Sequence, residues 1–241
     1  MLAAYHIVAD MNRTPVIAVS TALALTAAAC STATRSTATS SSPVTVTQTL
    51  SPEAEAAAIA QARADSIRKP YTAADVEFMS HMIHHHAQAI VMSRWAPTHG
   101  ASPAVQRLAD RIINAQLDEI GTMQSWLRDR RQPVPEATPG GVMMNMGGME
   151  HEMLMPGMLT EAQMKQLNAA RGPEFDRLFL TYMIQHHQGA VSMVKELFDT
   201  YGAGIDDTVF KFASDVNVDQ TTEIARMEKL LISVTLGVDT Q

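Results

Sequence analysis

Two sets of side chains in this sequence are typed and spaced for chemistry. The first is a pair of imidazole and thioether stripes: His81, Met82, His85, His86 and Met92, then Met183, His186, His187 and Met193. The second lies between them and comprises Met143, Met144, Met146, Met149, His151, Met153, Met155 and Met158, seven Met and one His within sixteen residues. Thioethers beside neutral imidazoles are the soft donor set that suits copper, Cu(I) above all. Three thioethers, or two with an imidazole, can enclose Cu(I) without a thiolate. The chain has a single Cys, so no thiolate cluster or internal disulfide is available to it. No helical or strand period fits 143–158, and thioethers in a Gly- and Pro-flanked loop gain little burial. Metal capture is therefore the leading reading of this run. The competing readings are a disordered apolar tether, an oxidant sink or a strap packed on the fold.

The elements that position these residues follow from a repeat. Asp75, Phe78, Met82, His85, His86, Ala89 and Met92 recur 101 residues later as Asp176, Phe179, Met183, His186, His187, Ala190 and Met193. At an offset of 104, Gln116, Glu119, Ile120, Met123 and Leu127 recur as Gln220, Glu223, Ile224, Met227 and Leu231. Each copy reads as a helix, a turn and a second helix. Phe78, Met82, His85, Ala89 and Met92 fall at i, i+4, i+7, i+11 and i+14, a helical stripe. Thr72 with Asp75 makes a capping box, Ser102-Pro103 an N-cap with Pro at the first helical position, and Asp206 or Asp207 a cap for the last helix. Flanking helices are expected over Pro52 to Lys69 and from Thr160 to Gly172-Pro173. Hairpin signals are read as lacking, so no sheet is expected. Two αα-hairpins that must bury their apolar faces together predict an all-α, ferritin-like four-helix bundle with pseudo-twofold symmetry.

Helical projection places His85 and His186 mid-face, His86 and His187 on the flank beside Met82 and Met183, and Gln116 and Gln220 opposite. The bland reading is that His85–Gln116 and His186–Gln220 pairs satisfy each other and fix the packing register. His81, His85 and Met92 share one helix edge, whereas Tyr182 replaces His81 in the second copy, so a first-helix metal site should be richer in the first repeat.

Around this core the chain divides into 1–30, 31–50, 51–132 (first helix pair), 133–159 (Met-rich linker) and 160–241 (second helix pair). From Met11, a lone Arg13, an apolar run Val16 to Leu25 and Ala27-Ala28-Ala29-Cys30 form an export signal. Cys30 sits where a bacterial lipobox is cut and its thiol lipidated. The run is short for a membrane helix, and residues 1–10 read as an upstream start. Ser, Thr and Ala dominate 31–49, a tether too poor in apolar groups to order itself. The expected location is the bacterial cell envelope, either on the outer face of the cytoplasmic membrane or in the periplasm, with the lipid on Cys30 as membrane contact. Composition is globular, 46% hydrophobic and 18% charged, and the net charge of −7 without a basic cluster excludes nucleic acid as a main partner.

The segments FMSHMIHHHAQAIVM (78–92), INAQLDEIGTMQSWL (113–127) and MLTEAQMKQLNAARGPEFDRLFLTYMIQHHQGAVSM (158–193) resemble the domain-of-unknown-function 305 family. The resemblance covers nearly all of Tyr71 to Leu231, with His84 where the family often has Pro. It implies an exported ferritin-like helical bundle, and some members are linked to copper and silver binding. The Met-x-x-Met and Met-x-Met spacings likewise resemble methionine motifs of exported copper-handling proteins.

Three functions follow as expectations. The first is an exported lipoprotein that binds soft metal ions for sequestration, tolerance or handover. The second is a non-metal structural or interaction lipoprotein with packing histidines. The third, a di-metal oxidase, needs Glu three residues before a ligand His, and no such Glu precedes His85, His86, His186 or His187. No nucleophile–base triad or phosphate loop is present in the sequence, and the protein partner is open.

Overall fold

The computed structural model describes residues 51–67 and 70–237, with the side chains of Ser66, Ile67, Asn145, Met146 and His151 left aside. The signal segment 1–30, Cys30 and the tether 31–50 therefore lie outside the described residues. The helices are α1 (Pro52–Ile67), α2 (Ala73–Arg94), α3 (Pro103–Asp129), α4 (Glu161–Ala169), α5 (Pro173–Asp199) and α6 (Asp207–Leu236). The capping signals act as their chemistry dictates. Thr72 and Asp75 close a reciprocal capping box on α2, Ser102 caps α3, Thr160 and Gln163 box α4, and Asp206 caps α6. Each such cap satisfies amide donors that helix geometry orphans and is worth about 1 kcal/mol.

α2 packs along α3, α5 along α6, and the two hairpins meet through α2 and α5. The pseudo-twofold extends to the loops. The Asp75 carboxylate accepts from Gly204 N at 2.7 Å, and the Asp176 carboxylate accepts from Ser102 N at 3.1 Å. An aspartate in the first turn of each hairpin thus ties down the turn of the other. At one end, the buried Asp206 also accepts from Trp126 Nε1 at 3.0 Å and pairs with Arg130, whose guanidinium lies 4.3 Å from the Trp126 ring centroid.

The core is divided. One apolar cluster gathers Phe78, Met82, Met123, Leu127, Val194 and Phe212, among others. The other gathers Met92, Leu108, Ile112, Phe175, Phe179 and Met183. Between the α2 contributions lie His85 and His86, between those of α3 Gln116 and Glu119, and between those of α5 His186 and His187. Gln220 and Glu223 supply the same level of α6, so a polar layer crosses the bundle between two apolar halves.

Segment 133–159 departs from expectation. Val142–Met146 (β1) and Met149–Met153 (β2) form an antiparallel hairpin, the only sheet among the described residues. Its signal was present as Gly147-Gly148: both take positive φ, 66° and 91°, which a tight two-residue hairpin turn needs and glycine supplies without strain. The register sets Met144 opposite His151 and Met146 opposite Met149.

Candidate metal centre

After the hairpin, Met153 to Leu159 runs as a strap across α2 and α5, held largely by its main chain. Gln88, 2% exposed, donates to the carbonyls of Pro139 and Leu159 at 3.1 and 3.0 Å and accepts from Leu159 N at 2.6 Å. His85 Nε2 lies 3.0 Å from the Pro156 carbonyl, and Gln185 Nε2 donates to Gly157 O at 3.2 Å. The strap passes so close to α5 that a Cβ on Gly189 would stand 1.9 Å from Pro156 O. Glycine at 189 is therefore a steric requirement of the strap.

That crossing encloses a cavity of about 360 Å³ between α2, α5 and the strap. His81 enters it from α2, Met193 from α5, and Met153 and Met155 from the strap; Glu77 and Glu196 stand at its wall. Burial holds the His81 imidazole below the ordinary histidine range, against the opposing pull of Glu77 and Glu196. A neutral ring offers its lone pair to a metal without first losing a proton. One imidazole, three thioethers and two carboxylates thus share a single cavity.

The structure separates the other expected donors. Met82, Met92 and Met183 are fully buried in the apolar clusters, and Met158 is 5% exposed in the first of them. Met92, on the same helix as His81 and His85, packs in the second cluster. On the hairpin Met143, Met144 and Met149 are exposed, as is Met153 at the cavity, so their thioethers gain little from burial. The backbone of Met146 and His151 belongs to the same hairpin. Side-chain hydrogen bonding also places the neighbouring His84 against Thr138 of the linker, with Nδ1 3.0 Å from the hydroxyl.

In the polar layer His85, His86, His186 and His187 are all buried, the expected flank positions included. The anticipated His85–Gln116 and His186–Gln220 pairs do not form. His85 turns to Pro156, and both His186 ring nitrogens and the Gln116 and Gln220 amide oxygens have no hydrogen-bond partner. The strap carbonyl, which helical projection could not place, takes the hydrogen bond instead. The carboxylates go to the second histidine of each pair, His86 Nε2 to Glu119 at 2.6 Å and His187 Nε2 to Glu223 at 2.8 Å. These pairs were missed because acid and base sit on different helices; their shared repeat register was the available signal. Burial drives His85 down to about 3 and His186 well below the ordinary range, so both rings are neutral. Among the described residues, no three His, Cys, Asp or Glu side chains are grouped closely enough to hold a metal as they stand.

Comparison with known proteins came to the same family. Residues 75–231 match the family model described as Domain of unknown function (DUF305). A solved DUF305 protein from Streptomyces coelicolor, proposed to be secreted, is 31% identical; the match covers 67% of this chain and 94% of that one at a TM-score of 0.55. A DUF305 fragment from Deinococcus radiodurans is 29% identical, covering 68% and 98%, also at 0.55. CopM in its Cu(II)-bound form is 29% identical, covering 66% and 96%, at 0.50. An uncharacterised protein of Acanthamoeba polyphaga mimivirus is 36% identical over 66 residues, 27% of this chain and 43% of the length of that protein.

Proposed function

The chain belongs to the DUF305 family, and on that premise we propose that it is an exported lipoprotein that binds soft metal ions, Cu(I) first, for sequestration, tolerance or handover in the cell envelope. The observation that carries the reading is the cavity that His81, Met153, Met155 and Met193 line together. Thioether donors with one neutral imidazole select Cu(I) over hard cations, and the set needs no thiolate, which suits an oxidising compartment. The exposed hairpin thioethers of Met143, Met144 and Met149 extend the same chemistry outward as a capture surface, with Met146 and His151 in the same strands. Copper bound to CopM supports metal binding within the family. Export and lipid attachment rest on the sequence around Cys30; no described helix is long and apolar enough to cross a membrane.

The test is a Cu(I) titration against a competing chelator. The full chain, a 143–158 deletion and a His81→Ala/Met193→Leu variant are compared. The cavity variant should bind about tenfold more weakly or worse, equivalent to about 1.4 kcal/mol, with thermal stability checked in parallel. Equal affinity in the folded cavity variant would remove the cavity from the proposal. A parent chain that binds only adventitiously would leave the interaction-lipoprotein reading, which the full burial of Met82, Met92 and Met183 as core filler favours.

A further inference from the structure

The hairpin register sorts the methionine run in a way that its composition does not show. Successive residues of a strand alternate between the two faces, and residues paired across strands share a face. Val142 with Met153, Met144 with His151 and Met146 with Met149 therefore take one face. Met143 with Glu152 and Asn145 with Glu150 take the other, where the Glu152 carboxylate accepts from Gly141 N at 2.6 Å. Of the strand methionines, all but Met143 thus hold positions on a single face, and both acids hold the opposite one. A slip of one residue would undo the sorting. The two-residue turn at Gly147-Gly148 sets the register that prevents it.

The thioether face leads into the cavity, because Met153 belongs to both: it ends the face and lines the cavity with His81, Met155 and Met193. Neighbouring pairs on one face lie about 6.8 Å apart, within reach of a long unbranched side chain. Exposure falls along the series, from Met149 at 66% through Met144 at 42% and Met153 at 40% to Met193 at 7% and Met155 at 3%. The donor set meanwhile grows to three thioethers and an imidazole, and Glu77 and Glu196 at the cavity wall offset the charge that enters. We propose that the hairpin is a one-sided loading track: Cu(I) is caught at Met149 and Met144 and handed through Met153 into the cavity. Each step forms one copper–sulfur bond as another breaks, and no electron moves. An ion held on the face is presented to the cavity at about millimolar effective concentration, so handover outruns release to solvent. The track rests on the soft-metal reading of the cavity and adds the route by which it fills.

The probe is Cu(I) carried by bicinchoninate, a coloured chelator, mixed anaerobically with the full chain in a stopped-flow cell. Loss of the chelator colour gives the rate of withdrawal, and titration against the same chelator gives the equilibrium affinity. A Met144→Leu/Met149→Leu variant should withdraw Cu(I) about tenfold more slowly or worse, a larger change than its loss of affinity. Met144→Leu alone should slow withdrawal more than Met143→Leu, although Met143 is the more exposed at 57%. Met144→Leu/Asn145→Met, which restores the thioether one position along and on the wrong face, should stay as slow as Met144→Leu. The proposal is overturned if Met143→Leu slows withdrawal as much as Met144→Leu, or if the thioether at 145 restores the rate. Thioethers would then act by number and not by face. A parent rate in the Met144→Leu/Met149→Leu variant would also overturn it, since the cavity would fill directly. Unchanged equilibrium affinity in the His81→Ala/Met193→Leu variant would remove the cavity and the track with it, a failure read at equilibrium and not in the rates.

Discussion

His85 and His186 meet with ring centroids 3.8 Å apart and planes tilted by 40°, one from each repeat, at the level where the two hairpins meet. Protonating either ring would set a buried charge against its neighbour with no carboxylate of its own, since Glu119 and Glu223 are engaged by His86 and His187. The pair is therefore a contact between neutral imidazoles, and its consequences can be measured.

Acid should destabilise the fold through this pair. In the unfolded chain each ring titrates near 6.5, whereas burial lowers His85 to about 3 and His186 well below its ordinary value. Their stabilising contribution is thus intact above pH 6.5. It is lost as pH falls toward 3, because the unfolded chain takes up protons that the folded chain refuses. The slope is at most about 1.4 kcal/mol per pH unit for each ring. The raised carboxyls of Asp176 and Asp219 act in the opposite sense and offset part of it. Urea unfolding should show a lower midpoint at pH 5 than at pH 7.5, and a His85→Gln/His186→Gln variant should flatten the dependence. Equal midpoints at both pH values would contradict the neutral pair.

Gly189→Ala should displace the strap. The added methyl would meet Pro156 O at 1.9 Å and Gly157 Cα at 2.6 Å, main-chain atoms that cannot rotate away. Helix propensity alone favours Ala by about 1 kcal/mol, so a net loss of stability would report the clash. Hydrogen exchange should quicken at Leu159 N, which Gln88 now holds. A stabilised variant with unchanged exchange would refute the close crossing.

Asp206→Ala should be among the costliest single changes. It strips the cap from α6, the partner from Trp126 Nε1 and the counter-charge from buried Arg130. Removing one member of a buried pair costs about 3–5 kcal/mol. Denaturant unfolding measures it, and a loss under about 1 kcal/mol, the value of a cap alone, would mean the pair contributes nothing.

Peroxide should oxidise the methionines in an order set by exposure. Met149, 66% exposed, and Met143, 57%, should convert first, while Met82, Met92 and Met183, at 0%, persist until the protein unfolds. Peptide mass spectrometry at partial conversion reads the order, and early conversion of Met82 would mean that the bundle opens at this level.

The repeat carried most of the fold into the sequence. Helical stripes, caps at Thr72, Ser102, Thr160 and Asp206, and the paired hairpins all rest on local rules, and local rules are legible. The site was legible only in part. His81 and Met193 sit in different repeats, and only the strap brings Met153 and Met155 to them. The strap in turn depends on a hairpin whose turn signal, Gly147-Gly148, lies inside the methionine run. The His86–Glu119 and His187–Glu223 bonds cross between helices, where spacing along one chain says nothing about distance.

The strap is fastened by carbonyls and one amide of its own main chain, at Pro156, Gly157 and Leu159, and the segment before the hairpin by the carbonyl of Pro139. None of these joints reads a hairpin side chain, so Met143 to Met149 form a replaceable cassette on a fixed chassis. Selection, or an engineer, can rewrite that cassette for another cargo while the bundle beneath it stays as it is.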